Sequence, residues 1–342
     1  MSLLKELGKQ PKKEKVKEYS EKCSNYKNGK FLNCYYLKKE DTNILIADKY
    51  SNDAKNRSGK NANIPVINLK ELANLKAGEI AITWLGHSSS IIQLGKKNIL
   101  LDPVLSNNVS PLPFGFKRFY KQIPIKTKDL PRIDAVIISH NHYDHLDYKT
   151  IKKIDKKVNN YYVPLGVESY LEYWGVKKEK ITVMNWWQET ILEDVKIECT
   201  PSNHFSGRNL FDRNASLWAS WVINYNNKKI FFSGDSGYGS HYKKINEKYG
   251  DMDVALMECG QYNNAWADIH MLPNESFKAA MDLKAKNIIP VHWGAFSLSM
   301  HRWNEPAEKM SRYSKEYSAK VIIPMIGETI KIGDELKENK WW

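Results

Sequence analysis

Ser139-His140-Asn141-His142-Tyr143-Asp144-His145 decides how this chain is read. It follows residues 133–138, a mostly apolar run that predicts a buried strand. Three histidines and an aspartate crowd into positions 140–145, just past the end of that strand. Loops at the ends of rigid elements are where binding and catalytic groups concentrate. His140 and His142 can converge on one ion, and Asp144 and His145 can reach a second beside it. Neutral imidazole and carboxylate suit zinc, with manganese and iron as alternatives.

The same arrangement recurs outward along the chain. Predicted strands at 99–101, 191–200, 229–232 and 288–291 run into Asp102, His204, Asp235 and His292. One histidine at a strand end is ordinarily a hydrogen-bonded structural residue. Four separate strand ends carrying ligand-type residues, namely the dense cluster, His204, Asp235 and His292, point to a two-metal site. His140, His142 and His204 are assigned to one ion, and Asp144, His145 and His292 to the other. Asp235 bridges the two. Such a pair lowers the pKa of a shared water and makes it a nucleophile near neutral pH. Asp102 either accepts a ligand N–H or caps the turn before Pro103. His270 precedes a predicted helix and is placed to reach substrate or leaving group. Asp144, His270 and Asp102 are the candidate catalytic residues. His87 reads as a hydrogen-bonded core histidine rather than a wall of the site. His241 and His301 read as bystanders.

Further strands are expected at 80–85, 91–94, 161–164, 181–187, 254–257, 321–323 and 329–332, with a hairpin joining 217–224 to 229–232. Helices are expected at 147–158, 167–174 and 273–284, the last with Asn274 as its N-cap. Residues 111–131 read as a long loop rich in proline and aromatics, either a lid or a tucked surface loop. Residues 1–62 read as a polar, lysine-rich arm packed on or preceding a main domain over 63–342. Leu3, Leu4 and Leu7 suggest one face of a short helix, docked on the body or touching an anionic membrane. Residues 25–36, with their Asn-Gly pair and aromatics, read as ordered.

At 342 residues the chain is long enough to bury a large core without staples. Its four cysteines, Cys23, Cys34, Cys199 and Cys259, form no C-x-x-C pair, which argues against a cysteine zinc knuckle. Cys199 and Cys259 read as buried thiols. The formal charge of +13 comes from scattered lysines rather than one arginine-rich stripe, so no nucleic-acid partner is expected. No apolar run approaches the ~20 residues that span a bilayer. Residues 1–17 have no apolar stretch of signal-peptide type. The expectation is a cytoplasmic protein, at most peripheral at the inner membrane face, with a homo-oligomer left open.

The H-x-H-x-D-H pattern resembles the metallo-β-lactamase superfamily. Trp84-Leu85-Gly86-His87-Ser88-Ser89, Leu101-Asp102-Pro103, Ser202-Asn203-His204, Ser233-Gly234-Asp235 and His292-Trp293-Gly294 follow in the order seen in one branch. That branch is similar to the N-acylphosphatidylethanolamine-hydrolysing phospholipases D and their bacterial RomA-like relatives. The resemblance implies an α/β fold, a four-layer αββα sandwich of two mixed sheets flanked by helices. It implies two divalent metal ions, held by His140, His142, Asp144, His145, His204, Asp235 and His292, with functional positions at Asp102 and His270. The implied reaction is hydrolysis of a phospholipid phosphodiester. Phosphosugar lactone hydrolysis and non-catalytic ligand sensing are the competing readings. Arg208 either grips a phosphate oxygen or makes a structural salt bridge. The segment 260–266 and the 111–131 loop are expected to shape the pocket.

Overall fold

The computed structural model describes residues 2–36, 52–53, 55–112, 115–334 and 340–342. Phe114, one of the aromatics of the 111–131 loop, lies outside them, as does the side chain of Leu3.

The chain begins with two helices, α1 (Ser2–Leu7) and α2 (Lys13–Lys22), and a small hairpin, β1 (Tyr26–Lys27) and β2 (Lys30–Phe31). It continues through β3 (Ile80–Gly86), β4 (Ser89–Leu94), β5 (Lys97–Leu101), β6 (Ile133–Ile137), α3 (Tyr148–Ile154), β7 (Val158–Pro164), α4 (Glu168–Tyr173) and β8 (Ile181–Met184). Then follow β9 (Glu189–Leu192), β10 (Val195–Thr200), β11 (Ser220–Tyr225), β12 (Lys228–Phe232), α5 (His241–Tyr249), β13 (Val254–Glu258), α6 (Pro273–Asp282), β14 (Ile288–Val291), α7 (Glu305–Glu316) and β15 (Thr329–Lys331).

Two mixed sheets result. One runs β15-β3-β4-β5-β6-β7-β8 and the other β14-β13-β12-β11-β10-β9. In the first, β5, β6, β7 and β8 are parallel neighbours, and in the second β12, β13 and β14 are. Alternation sorts the side chains into layers. On β5, Ile99 and Leu101 enter the core between the sheets, while Leu100 joins Ile151, Ile154 and Leu171 beneath α3 and α4. On β13, Val254 and Leu256 face the other sheet, and Ala255 and Met257 pack with Phe277, Met310 and Tyr313 of α6 and α7. The outcome is the four-layer αββα sandwich. No helix among the described residues is long and apolar enough to cross a membrane.

Several boundaries differ from those expected. Residues 191–200 are two strands, because Glu193 turns the chain at φ 54° and folds β9 back on β10. The run expected at 181–187 stops at Met184, where Asn185 Oδ1 accepts from Trp186 N. The helix expected at 147–158 starts after Asp147, whose carboxylate accepts from Lys149 N. Residues 321–323 make a single bridge, Val321 to Ile288. Asn274 is not the cap of α6. It lies buried in the first turn, and Glu275 Oε2 accepts from the N–H of Leu272, the residue before the helix. The 111–131 loop is ordered where described, with Phe119 N donating to Ala295 O and Leu69 N to Pro124 O.

The N-terminal residues pack on the sandwich. Tyr19, Tyr26 and Phe31 are buried with the inter-sheet core, and Trp174 Nε1 donates to Lys5 O. Leu4 is exposed.

Candidate metal centre

The C-terminal ends of the central strands meet along one edge of the sandwich, and the cluster sits there. Parallel pairing of Leu101 with Ile137 puts Asp102 beside Ser139 and His140. Parallel pairing through β12, β13 and β14 sets Asp235, Glu258 and His292 side by side. The sheets are stitched at this edge by Ala219 N donating to Ser139 O and Trp221 Nε1 to Ile138 O. Gly234 permits the close approach. Its φ is 54°, and a Cβ there would lie 2.6 Å from that of Ser139.

All seven residues expected to be ligands converge. His142 Nδ1 lies 2.8 Å from His140 Nε2 and 3.2 Å from His204 Nε2. Asp235 Oδ2 is 3.8 Å from His140 Nε2, 3.7 Å from His204 Nε2 and 3.1 Å from His145 Nε2. Asp235 Oδ1 is 3.2 Å from His292 Nδ1, and Asp144 Oδ2 is 3.5 Å from His145 Nε2. His140, His142, His204 and Asp235 form one four-residue group, and Asp144, His145 and His292 form another with His87.

These separations test whether a metal fits. Donors on a tetrahedral zinc at 2.0–2.1 Å stand about 3.3 Å apart. The contacts bracket that value. His142 Nδ1 faces two other imidazole nitrogens and can share a proton with only one of them. The buried atoms His145 Nε2, Asp235 Oδ1 and His292 Nε2 have no hydrogen-bond partner of good geometry. Lone pairs facing one another in a buried site are what a cation satisfies, so the cluster is compatible with a pair of divalent ions.

Electrostatics agree. Burial pushes His140, His204 and His292 well below the ordinary histidine range, and His142 to about 3, keeping these imidazoles neutral. Burial opposes charge on His145 as well. The carboxylates of Asp235, Asp144 and Asp102 outweigh it and raise that histidine well above its usual value, so the environment favours positive charge at this point. Burial raises Asp235 to about 6. Asp144 is held well below the carboxylate range, because His145 and His87 overcome its burial.

The surrounding shell is hydrogen-bonded in turn. Asp102 accepts from Ser139 N (2.7 Å) and Ser139 Oγ (2.5 Å), and contacts His145 Nδ1 at 2.7 Å. Ser139 Oγ lies 2.9 Å from His140 Nδ1, Ser88 Oγ 2.9 Å from His292 Nδ1, and Ile269 O 2.9 Å from His204 Nδ1. His270 is at the cluster, its ring 4.9 Å from that of His204 and its Nδ1 3.0 Å from Glu258 Oε2.

Other residues stand differently from expectation. His87 is buried, yet its Nε2 is 2.9 Å from Asp144 Oδ2, so it is part of the site wall. The Arg208 side chain has no carboxylate partner among the described residues. Its guanidinium donates to the carbonyls of Glu6, Asn141 and Leu146, tying the cluster loop to α1. Four of its five N–H donors are taken by these carbonyls and none by a carboxylate, so the salt-bridge reading falls and little is left to hold a phosphate. His241 packs on Tyr242 with its Nε2 3.2 Å from Ser236 Oγ, and His301 Nε2 accepts from Gln261 N; neither belongs to the ligand groups. Glu258 and Asn33 were not anticipated. Glu258, a carboxylate ending an apolar strand as Asp102 and Asp235 do, offered that signal. Asn33 offered none: its Oδ1 accepts from His204 N and its Nδ2 donates to His204 O.

Comparison with known proteins follows the same lines. The family described as "Beta-lactamase superfamily domain" matches residues 97–293. A Mycobacterium tuberculosis protein, named only as uncharacterized, is 32% identical over 96% of this chain and 89% of its own length. N-acyl-phosphatidylethanolamine-hydrolyzing phospholipase D 1 of Caenorhabditis elegans is 29% identical over 78% of this chain and 79% of its own. Among solved structures, the metallo hydrolase Igni18 of Ignicoccus hospitalis superposes with a TM-score of 0.58 at 20% identity, covering 76% of this chain and all of that one. Family match, relatives and fold agree with the residues assembled at the sheet edge, and the chain belongs to the β-lactamase superfamily.

Proposed function

We propose that this protein is a two-metal hydrolase of phospholipid phosphodiesters, of phospholipase D type. The observation that carries the reading is the convergence of His140, His142, His204, Asp235, Asp144, His145 and His292 on one edge of the sandwich. A bound pair of divalent ions would supply Lewis acidity and a water of lowered pKa. His140, His142 and His204 would hold one ion, Asp144, His145 and His292 the other, and Asp235 both. Zinc suits these donors, with iron and manganese as alternatives.

The chain's own groups do the rest. Asp102, Ser139, Ser88 and the Ile269 carbonyl fix the imidazole orientations. Burial lowers the pKa of His270 and raises that of Glu258 well above the usual range, which favours a neutral imidazole and a carboxyl proton at their 3.0 Å contact. That proton stands ready for the leaving alkoxide oxygen when the phosphorus–oxygen bond breaks. The products would be phosphatidic acid and an N-acylethanolamine.

A lipid substrate is favoured by the rim. Leu210 and Phe211 are 92% and 87% exposed, a few residues past His204. Leu4 and Tyr36 are exposed on segments bonded to the same region, through Glu6 O to Arg208 and through Asn33 to Tyr36. Exposed apolar side chains grouped on a pinned loop mark an interaction surface.

The test is metal analysis with a hydrolysis screen over N-acylphosphatidylethanolamine, phosphosugar lactones and generic phosphodiesters. About two ions per chain and turnover of the N-acylphospholipid are expected, with His142→Ala losing ions and turnover while keeping its thermal unfolding transition. Full metal content in His142→Ala contradicts the centre. Turnover of the lactone alone replaces the substrate.

A further inference from the structure

A cavity lies one ring behind the candidate metal centre, and the charge along its lining is one-sided. It measures about 650 Å³ and is bounded by Arg57, Ser58, Lys60, Asn107, the 115–121 stretch and Ser297. Five cations line it: Arg57, Lys60, Lys117, Arg118 and Lys121. No carboxylate does, and among the described residues no acidic group pairs with any of the five. Other basic side chains show what that means. Lys15, Lys97, Lys196 and Lys286 all sit against carboxylates.

Arg118 sharpens the point. It is 6% exposed. Its terminal nitrogens donate to Tyr120 Oη (2.8 Å), Val104 O (2.8 Å) and Ser106 O (3.2 Å), and its Nε has no partner. These neutral acceptors orient the guanidinium without cancelling its charge. A buried cation normally faces an anion. Among the described residues no countercharge faces it, and the adjoining cavity is where one fits. Phe116, Phe119 and Tyr120 add an aromatic flank, and Ser58, Asn107 and Ser297 add neutral hydrogen-bonding groups.

The geometry points to a binding site for a phosphate monoester, which the metal centre does not itself account for. We infer that the phosphate enters among Lys60, Lys117 and Lys121 against Arg118, with its organic part along the aromatic flank. Guanidinium and ammonium groups on a dianionic phosphate make strong, charge-assisted hydrogen bonds. The volume falls within the range of small-molecule pockets. The site is separate from the metal cluster but touches its wall. The Arg118 guanidinium lies 4.6 Å from the Phe296 ring centre, and Phe296 meets the His87 ring edge-on at 5.2 Å. The phosphate can belong to a free metabolite or to the headgroup of an anionic lipid.

Calorimetric titration of the metal-loaded protein with inorganic phosphate and with glycerol 3-phosphate tests the site. Sedimentation with phosphatidylcholine vesicles, with and without phosphatidic acid, separates the two sources. Saturable phosphate binding is expected, weakened by added salt. Lys117→Glu combined with Lys121→Glu should weaken it at least about tenfold, the loss of one charge-assisted hydrogen bond or more. Both lysines are exposed, so the variant is expected to keep its unfolding midpoint and metal content. Binding of glycerol 3-phosphate assigns a free ligand, and binding only of phosphatidic acid vesicles assigns a lipid headgroup. No phosphate binding by either route overturns the site. So does binding that the double variant leaves unchanged, which would place the anion at the metals. None of these readouts depends on turnover, so they stand apart from the hydrolysis screen.

Discussion

Asp102 is fully buried and holds three neighbouring groups: the Ser139 amide, the Ser139 hydroxyl and the His145 ring. Asp102→Asn leaves the shape but removes the charge that supports His145. Loss of such a supporting group typically weakens metal binding about 10–100-fold. Competition with a chelator measures it, and an unchanged affinity would show Asp102 to be a turn cap only. The ligand types were legible because metal chemistry tolerates few donors and strand ends are easy to find in a sequence. The hydrogen-bonding shell was less so. Arg208 could not be placed, since its acceptors are backbone carbonyls and even the nearest in the chain, Leu146 O, lies 62 positions away, with Glu6 O 202 away. His87 could not be placed either, because burial and membership of the site are both satisfied by one bond to Asp144.

Between residues and the whole stand the loops. The segment from Arg208 to Asn214 is pinned at both ends. Asp212 accepts from the amides of Arg208 and Asn209, and the Arg208 guanidinium lies 3.9 Å over the Tyr143 ring. Leu210 and Phe211 are thus displayed on a fixed support. Each buries about 1.5–3 kcal/mol of apolar contact if it enters a bilayer. Leu210→Ser with Phe211→Ser should therefore lower turnover of vesicle-borne substrate about tenfold or more. Equal rates for variant and parent on vesicles would remove the loop from lipid engagement. Element types followed the apolar periods well. Their ends did not, where one local bond decides: Glu193 in a left-handed turn splits one apparent strand, and Glu275 caps α6 from inside the helix.

At the scale of the whole molecule, the buried histidines set the response to acid. Burial pushes His142 and His241 down to about 3 and His301 to about 4, whereas unfolded histidine titrates near 6.5. The unfolded chain therefore takes up protons first as pH falls. This stability is present above pH 6.5 and is lost on the way down towards 3. Between pH 6.5 and 5 the loss is about 2 kcal/mol per buried imidazole. His145, raised instead, runs the other way, with its contribution complete below 6.5 and lost as pH rises through its folded value. Unfolding midpoints of chelator-treated protein at pH 7.5 and pH 5 measure the sum, and an unchanged midpoint would contradict the buried, neutral state of these rings. Which strands share a sheet was only partly readable. The β11–β12 hairpin announces itself through Asn226 and Asn227, both left-handed. The return of β15 to pair with β3 crosses more than two hundred residues and leaves no local mark.

His87, Asp102 and His292 sit on backbone with φ of 53°, 36° and 68°. Residues with a Cβ seldom adopt such angles, though asparagine, aspartate and histidine do so more readily than the rest, and holding one there costs on the order of 1–3 kcal/mol. Rigidity elsewhere in the sandwich therefore underwrites the chemistry at its edge. Glycine at any of the three would ease the angle yet leave a hole and stranded partners at that buried edge, so selection for heat resistance alone has little to gain there.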